Sequence, residues 1–324
     1  MTKLMIYGAS GYTGRMATEH AKAAGLDLVL AGRSEAPLAA LGSAYRVFQV
    51  DDHAASDKAL SDVSVLLNCA GPFMRTAKPL MEAAIRSGVH YLDIAAELDS
   101  YRLAKALDME VRAAGVMLLP GSGGSVVMLG CLAGHAVERV ADPRKISIAL
   151  LVSGSMSRGS AISATENLTT ECLKRVDGTL VVSKPEEVRD FDFGNGLGSC
   201  FALTLPDLIT IWENTHIPDI ETFVRVSGDA FPTGDLSGMP DGPTPAQRDA
   251  NRYRATVEVT GDDGRIARSV LDTVNGYSFT PLAAAEAARR VLGGEVRVGF
   301  QTPAGLFGNG FAETIADTRI TDLQ

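Results

Sequence analysis

Six short apolar runs recur along the first third of the chain, at Leu4–Tyr7, Leu28–Ala31, Val47–Val50, Val65–Asn68, Tyr91–Ile94 and Val116–Leu119. Each is apolar at consecutive rather than alternate positions, which predicts strands buried on both faces, as in a parallel sheet. Helix-length segments separate them. Three of these end at Gly25, Gly88 and Gly115, where glycine suits the left-handed position that closes a helix. In the last of the three, Asp99 is read as the cap and Leu103, Leu107 and Val111 as the apolar stripe. Repeated units of this kind predict an α/β protein with a doubly wound Rossmann sheet.

A helical stretch over 124–139 ends at Ala141-Asp142-Pro143, and the texture then changes. Ile146–Val152, Phe223–Val226, Ala255–Thr260 and Ser269–Val274 read as strands of a largely antiparallel sheet, with a hairpin turn at Gly261-Asp262-Asp263-Gly264. Helices are expected near 160–175 and 281–292, giving a second, α+β domain. The Gly-, Pro- and Asp-rich segment Gly228–Pro245 reads as a mobile loop, either a lid or a surface excursion.

At 324 residues the chain exceeds the size at which one core usually stops growing, so two domains are expected. Hydrophobic residues make up 46% and aromatics 6%, an aliphatic composition that suits an α/β enzyme. The formal charge of −9, with no basic run, argues against nucleic acid or an anionic membrane as partner. Cys69, Cys131, Cys172 and Cys200 lie far apart without metal-ligand spacing, so neither disulfides nor a metal site are expected. The first strand follows Met1-Thr2-Lys3 directly and no apolar run is long enough for a membrane span, so a cytoplasmic protein is expected.

Gly8-Ala9-Ser10-Gly11-Tyr12-Thr13-Gly14 stands between a predicted strand and a predicted helix. Glycines at these positions permit a tight turn, close approach of a pyrophosphate and close helix–strand packing, while the helix start offers unpaired N–H groups. Ser10 and Thr13 add hydroxyls. At the end of the second strand, where NAD-preferring proteins carry a carboxylate, the chain reads Gly32-Arg33-Ser34. A guanidinium and a hydroxyl there favour a 2′-phosphate, hence NADP. The other reading has Arg33 stacked on adenine and Glu35 on the ribose. Asp51 is expected at the adenine amino group or as a turn cap, and Asn68, Ala70, Gly71 and Pro72 beside the nicotinamide ribose. Tyr101 and Lys105 match the YxxxK pair of short-chain dehydrogenases, but the spacing to Asn68-Cys69-Ala70-Gly71 is too short, so they are read as a solvated helix face.

These residues resemble the saccharopine dehydrogenase-like family of NADP-binding oxidoreductases. The likeness rests on GASGYTG, the LAGR strand end, NCAGPF, VHYLDIAAE, LLPGSGG, SRGSA and GFQTPAGLFG, in that order. It implies a Rossmann domain over 1–125, an inserted substrate and dimerisation domain over 126–275, and a segment 276–324 returning to the first domain. It also implies a homodimer. The chain departs from the family at Ala95-Ala96-Glu97, where relatives carry Gly before the Glu, and at Gly123-Gly124-Ser125-Val126-Val127, which lacks the usual Asp and Pro. Both departures touch the substrate side.

Ligands of open α/β sheets bind beyond the carboxyl ends of the strands, which brings Phe73, Arg75, Tyr91, Asp93 and Glu97 to the site. Tyr91, Asp93 and Glu97 are the candidates for acid/base or orienting work; helix caps for the carboxylates and a core position for Tyr91 are the alternatives. Ser155-Met156-Ser157-Arg158-Gly159-Ser160 is a candidate anion grip or an ordinary helix cap, and His216 a cleft or structural residue. The expected activity is NADP-dependent hydride transfer to or from a small carbonyl, imine or enoyl compound. The alternative is an inactive NADP(H) sensor or scaffold on the same fold.

Overall fold

The computed structural model describes residues 2–167, 171–184, 187–228 and 235–324. Along the first part run β1 (Lys3–Tyr7), α1 (Tyr12–Ala23), β2 (Asp27–Gly32), α2 (Glu35–Ala39), β3 (Tyr45–Val47), α3 (His53–Leu60), β4 (Val65–Asn68), α4 (Phe73–Ser87), β5 (His90–Asp93), α5 (Leu98–Ala106), α6 (Asp108–Ala113) and β6 (Met117–Leu119). There follow α7 (Gly124–Val137), β7 (Pro143–Ser153), α8 (Arg158–Asn167), β8 (Leu173–Val176), β9 (Thr179–Val182), β10 (Val188–Asp192), β11 (Leu197–Ala202), α9 (Asp207–Thr215), β12 (Asp219–Ser227), α10 (Pro245–Asp249), β13 (Tyr253–Gly261) and β14 (Ile266–Thr273). The chain closes with α11 (Gly276–Leu292), β15 (Gly299–Phe300), α12 (Pro303–Phe307) and β16 (Arg319–Leu323).

Contacts divide the chain into two units. The first comprises residues up to Gly124 with Thr280–Leu306, the second Ser125–Phe279 with Phe307–Gln324. Within 276–324, Thr280–Leu306 groups with the first unit, whereas Gly276–Phe279 and Phe307–Gln324 group with the second, where β16 pairs with β14.

The first unit is an all-parallel sheet in the order β15-β6-β5-β4-β1-β2-β3. Its central strands are sealed on both faces: Leu4, Met5, Ile6, Leu66 and Leu67 have no exposed surface. That burial is why the strands are continuously apolar. Strand order reverses between β1 and β4, the place where such sheets open a crevice at their carboxyl ends. Gly88, with φ of 67°, ends α4 in the left-handed conformation and turns the chain into β5.

The second unit is built on a nine-stranded sheet, β10-β11-β12-β7-β13-β14-β16, with β8 beside β12 and β9 beside β8. Among the described residues of this sheet, only β12 and β7 pair in parallel. The hairpin turn predicted at Gly261–Gly264 joins β13 to β14, with Gly264 N–H donating to Gly261 O at 3.0 Å.

Several local expectations are corrected. The third strand lies at Tyr45–Val47, and the apolar run to Val50 continues as loop, where Phe48 packs on the Tyr7 ring at 5.0 Å. The stretch expected as one helix capped by Asp99 is two, α5 and α6; Asp99 sits in the first turn and pairs with Arg102 at 3.0 Å. The helix expected over 160–175 ends at Asn167 and gives way to β8. Of the Gly228–Pro245 loop, 229–234 lies outside the described residues; the remainder leads into α10, where Thr244 forms a capping box with Gln247.

Candidate functional site

The loop after β1 has the geometry that its glycines predict. Gly8 adopts φ of 79°, and a Cβ there would lie 2.8 Å from Ala70 Cβ, so the loops after β1 and β4 touch backbone to backbone. A Cβ on Gly14 would lie 2.2 Å from Gly8 O, so α1 can start this close to β1 only with glycine. Gly11 occupies the N-cap of α1 and, having no side chain, gives that helix no side-chain cap. The start of a helix presents amide groups and the positive end of the helix dipole, which suit an anion. Arg15 braces the loop by donating Nη1 to Ser10 O at 2.7 Å. Gly11 is exposed, while Ser10, Tyr12 and Thr13 are half-buried along the same rim.

Arg33 and Ser34 follow β2 and are exposed. Ser34 is the N-cap residue of α2, yet its hydroxyl makes no capping bond. Glu35, the other ribose candidate, accepts a hydrogen bond from Tyr45 Oη at 3.0 Å. Burial pushes the Tyr7 phenol up, with Arg33 lowering it and Asp51 raising it, so both charges act at the carboxyl end of β1. The cap of α3 is Asp52, whose Oδ1 accepts from Ala55 N at 3.0 Å; Asp51 is left exposed beside it.

The ends of β4, β5 and β6 are tied by a buried network. Asn68 Oδ1 accepts from Ala70 N at 2.9 Å, and its Nδ2 donates to Thr76 Oγ1 and Tyr91 Oη, both at 3.1 Å. Tyr91 donates to Asp93 Oδ2 at 2.9 Å, and Asp93 Oδ1 accepts from Ala95 N at 3.0 Å and Gly121 N at 2.8 Å. Burial pushes Asp93 up to about 6 against the pull of those hydrogen bonds. Glu97, 4% exposed, accepts from Phe73 N at 3.3 Å and Ala96 N at 2.9 Å. The peptide bond between Gly71 and Pro72 is cis. Thus Tyr91 and Asp93 are fully buried with their polar atoms engaged, and Glu97 anchors the start of α4.

Other sequence candidates fall elsewhere. Tyr101 is not on a solvated face: it has no exposed surface and donates to Ala95 O at 2.6 Å, while Lys105 is exposed. In the second unit, Ser157 caps α8 through Ser160 N at 3.1 Å, and its own N–H donates to Tyr277 Oη at 2.8 Å. The Arg158 guanidinium is engaged by Asp241 at 2.5 Å and Met239 O at 3.1 Å. His216 closes α9 in the left-handed conformation and lies edge-on to Trp212 at 5.7 Å. Asp207 and Thr210, missed in the sequence, are buried polar residues of α9; Pro206-Asp207 reads there only as an ordinary helix start. Among the described residues no cluster of His, Cys, Asp or Glu could hold a metal, and no helix is long and apolar enough to cross a membrane.

Residues 4–119 match the family model of the saccharopine dehydrogenase NADP binding domain. Saccharopine dehydrogenase-like oxidoreductases of Rattus norvegicus and Mus musculus are 27% identical over 118 and 144 aligned residues. These alignments take in 29% and 37% of this chain and 28% and 34% of theirs, so the chain spans about a third of the curated relatives it matches. The apo saccharopine dehydrogenase (L-Glu forming) of Saccharomyces cerevisiae shares the fold with a TM-score of 0.66 at 16% identity, over 99% of this chain and 100% of that one. In its N-terminal domain the chain therefore matches the saccharopine dehydrogenase family of nicotinamide-cofactor-binding domains, and over its full length it carries the fold of a saccharopine dehydrogenase.

Proposed function

We propose that the chain is an NADP(H)-dependent oxidoreductase acting on a small carbonyl, imine or enoyl compound. The observation that carries this reading is the glycine-built start of α1, without a side-chain cap, beside an exposed arginine at the end of β2, where the next carboxylate, Glu35, accepts from Tyr45 Oη. Gly8, Ser10, Gly11, Tyr12, Thr13 and Gly14 would cradle the pyrophosphate, Arg33 and Ser34 the 2′-phosphate, and Asp51 the adenine amino group. Asn68, Ala70, Gly71 and Pro72 would back the nicotinamide ribose. The bound cofactor supplies or accepts the hydride. For Tyr91, Asp93 and Glu97 the orienting role suits their burial: they would fix the loops after β4, β5 and β6 against which cofactor and substrate lie. A cytoplasmic homodimer belongs to the same reading.

The test is equilibrium binding. NADPH is expected to bind the wild type more tightly than NADH, and Arg33→Ala to weaken NADPH about 10–100-fold, the worth of a charge-assisted phosphate contact. NADH affinity should stay within about twofold in the variant, since no 2′-phosphate is lost. Equal affinity for the two nucleotides, or an equal loss of both, overturns the assignment.

Asp93→Asn probes the network. An amide oxygen cannot serve all three donors that the carboxylate serves, and its NH₂ would face one of them. The expected cost is about 1–3 kcal/mol in urea unfolding, with weakened NADPH binding because Asn68 and the loop holding Ala70 lose their brace. Tyr91→Phe, which removes one link, should cost less than Asp93→Asn.

A further inference from the structure

Both oxygens of the Asp207 carboxyl, in the first turn of α9, are buried without a hydrogen-bond partner. The Thr210 hydroxyl is likewise buried and unpartnered. Residues three apart share one face of a helix, so the two orphaned groups adjoin. Polar side chains of the flanking segments and paired strands have other partners. Arg175 donates Nε to Leu208 O at 2.9 Å and Nη1 to Gly178 O at 2.6 Å, and lies 4.8 Å from the centre of the Trp212 ring. Thr222 Oγ1 donates to Leu203 O at 2.6 Å, and Thr204 Oγ1 to Glu171 O at 3.1 Å. The amide of Asp207 approaches its carboxyl without closing a bond of good geometry, and no other charge of the described residues acts on it. Burial pushes the carboxyl up to about 8.

Leaving a buried carboxyl and a hydroxyl without donors is costly, and a bound group that supplies the missing hydrogens accounts for such a pair. The acceptors define its chemistry. A carboxylate accepts at several lone pairs and a hydroxyl at two, whereas an ammonium offers only donors. A cationic nitrogen also compensates the buried negative charge, which a neutral hydroxyl cannot do. We propose that Asp207 and Thr210 form the polar wall of a binding site in the second unit for a cationic nitrogen, a primary ammonium or protonated imine borne by a small molecule. None of the residues assigned to the nicotinamide cofactor takes part, so this site stands or falls independently of that reading.

The test uses the full chain without nicotinamide and methylammonium chloride as probe. Sodium chloride and tetramethylammonium chloride at equal ionic strength are the controls. At pH 7 methylammonium should raise the wild-type Tm by about 2–4 °C beyond the controls, the range that a contact of modest affinity gives in a chain of this size. Binding should release a proton, read by calorimetry in two buffers of different ionisation enthalpy, because the cation ionises Asp207. Asp207→Asn, nearly isosteric, should lose both the shift and the proton release, and Thr210→Val should lose at least half of the shift. Equal shifts in the wild type and both variants overturn the proposal, as does a wild type that responds to methylammonium no more than to sodium chloride.

Discussion

Gly14→Ala is expected to abolish detectable nicotinamide nucleotide binding and to destabilise the protein by about 2–4 kcal/mol. The added methyl would stand 2.2 Å from Gly8 O, 2.9 Å from Gly8 C and 3.0 Å from Ala9 Cα, all backbone atoms, so no side-chain rotation relieves the clash. The loop cannot retreat in the other direction. Gly8 is held at φ of 79° with its own missing Cβ filled by Ala70, and its N–H donates to Ala31 O at 2.8 Å. Helix α1 must therefore move away from β1, carrying with it the amides on which a pyrophosphate would rest. A control separates strain from clash. Gly25 has φ of 72° but open space around its missing Cβ, so Gly25→Ala should cost about 1 kcal/mol and leave binding unchanged. NADPH titration by fluorescence and urea unfolding read the two effects. Binding within tenfold of the wild type in Gly14→Ala would refute the cradle.

The first unit was legible in the sequence because its physics is local. Strands covered on both faces must be continuously apolar, and Gly8, by its φ, and Gly14, by its contact distances, have no substitute in the first loop. The strand that sequence placed too late, β3, is an edge strand whose Tyr45 and Val47 are exposed, so no apolar run marks it; its partners on β2 supply the register. In the second unit β8 to β11 escaped notice because their side chains answer to neighbours distant in sequence. Arg189 of β10 pairs with Glu258 of β13, and Lys174 of β8 with Glu221 of β12 at 3.7 Å, so polar residues stand within the sheet where no apolar pattern marks a strand. Helix α9, with Ile209, Ile211 and Trp212, has the composition of a strand; packing on β12 decides otherwise. Tyr101 looked solvated because its acceptor is the backbone carbonyl of Ala95, which leaves no mark in the residue pattern. At the site, residue types were readable but roles were not: the bonds that bury Asp93 come from the amides of Ala95 and Gly121, which have no signature in sequence.

Between pH 6 and 8 the stability of the wild type is expected to fall relative to that of Asp207→Asn. The carboxyl lies at about 8 in the folded protein against an ordinary value of 3.8, because burial disfavours its charged form. The folded state thus keeps a proton that the unfolded chain has released. Its contribution is fully present below pH 4 and is lost as pH rises through the folded value. At 1.36 kcal/mol per pH unit the whole span amounts to at most ~6 kcal/mol, and the two units between pH 6 and 8 to at most ~3 kcal/mol. That upper window isolates the residue. Asp93, raised by burial to about 6, titrates alike in both proteins and cancels in the difference. His20 and His90, whose imidazoles burial pulls below their usual range, titrate alike in both proteins and cancel in the difference. The asparagine amide is buried without partners as well, which adds an offset but no slope. Urea unfolding at constant ionic strength should therefore give wild-type and variant curves that diverge steadily from pH 6 and run parallel again once Asp207 has ionised, above about pH 9. Curves that stay parallel from 6 to 8 would show that Asp207 is ionised throughout and already paired with a cation.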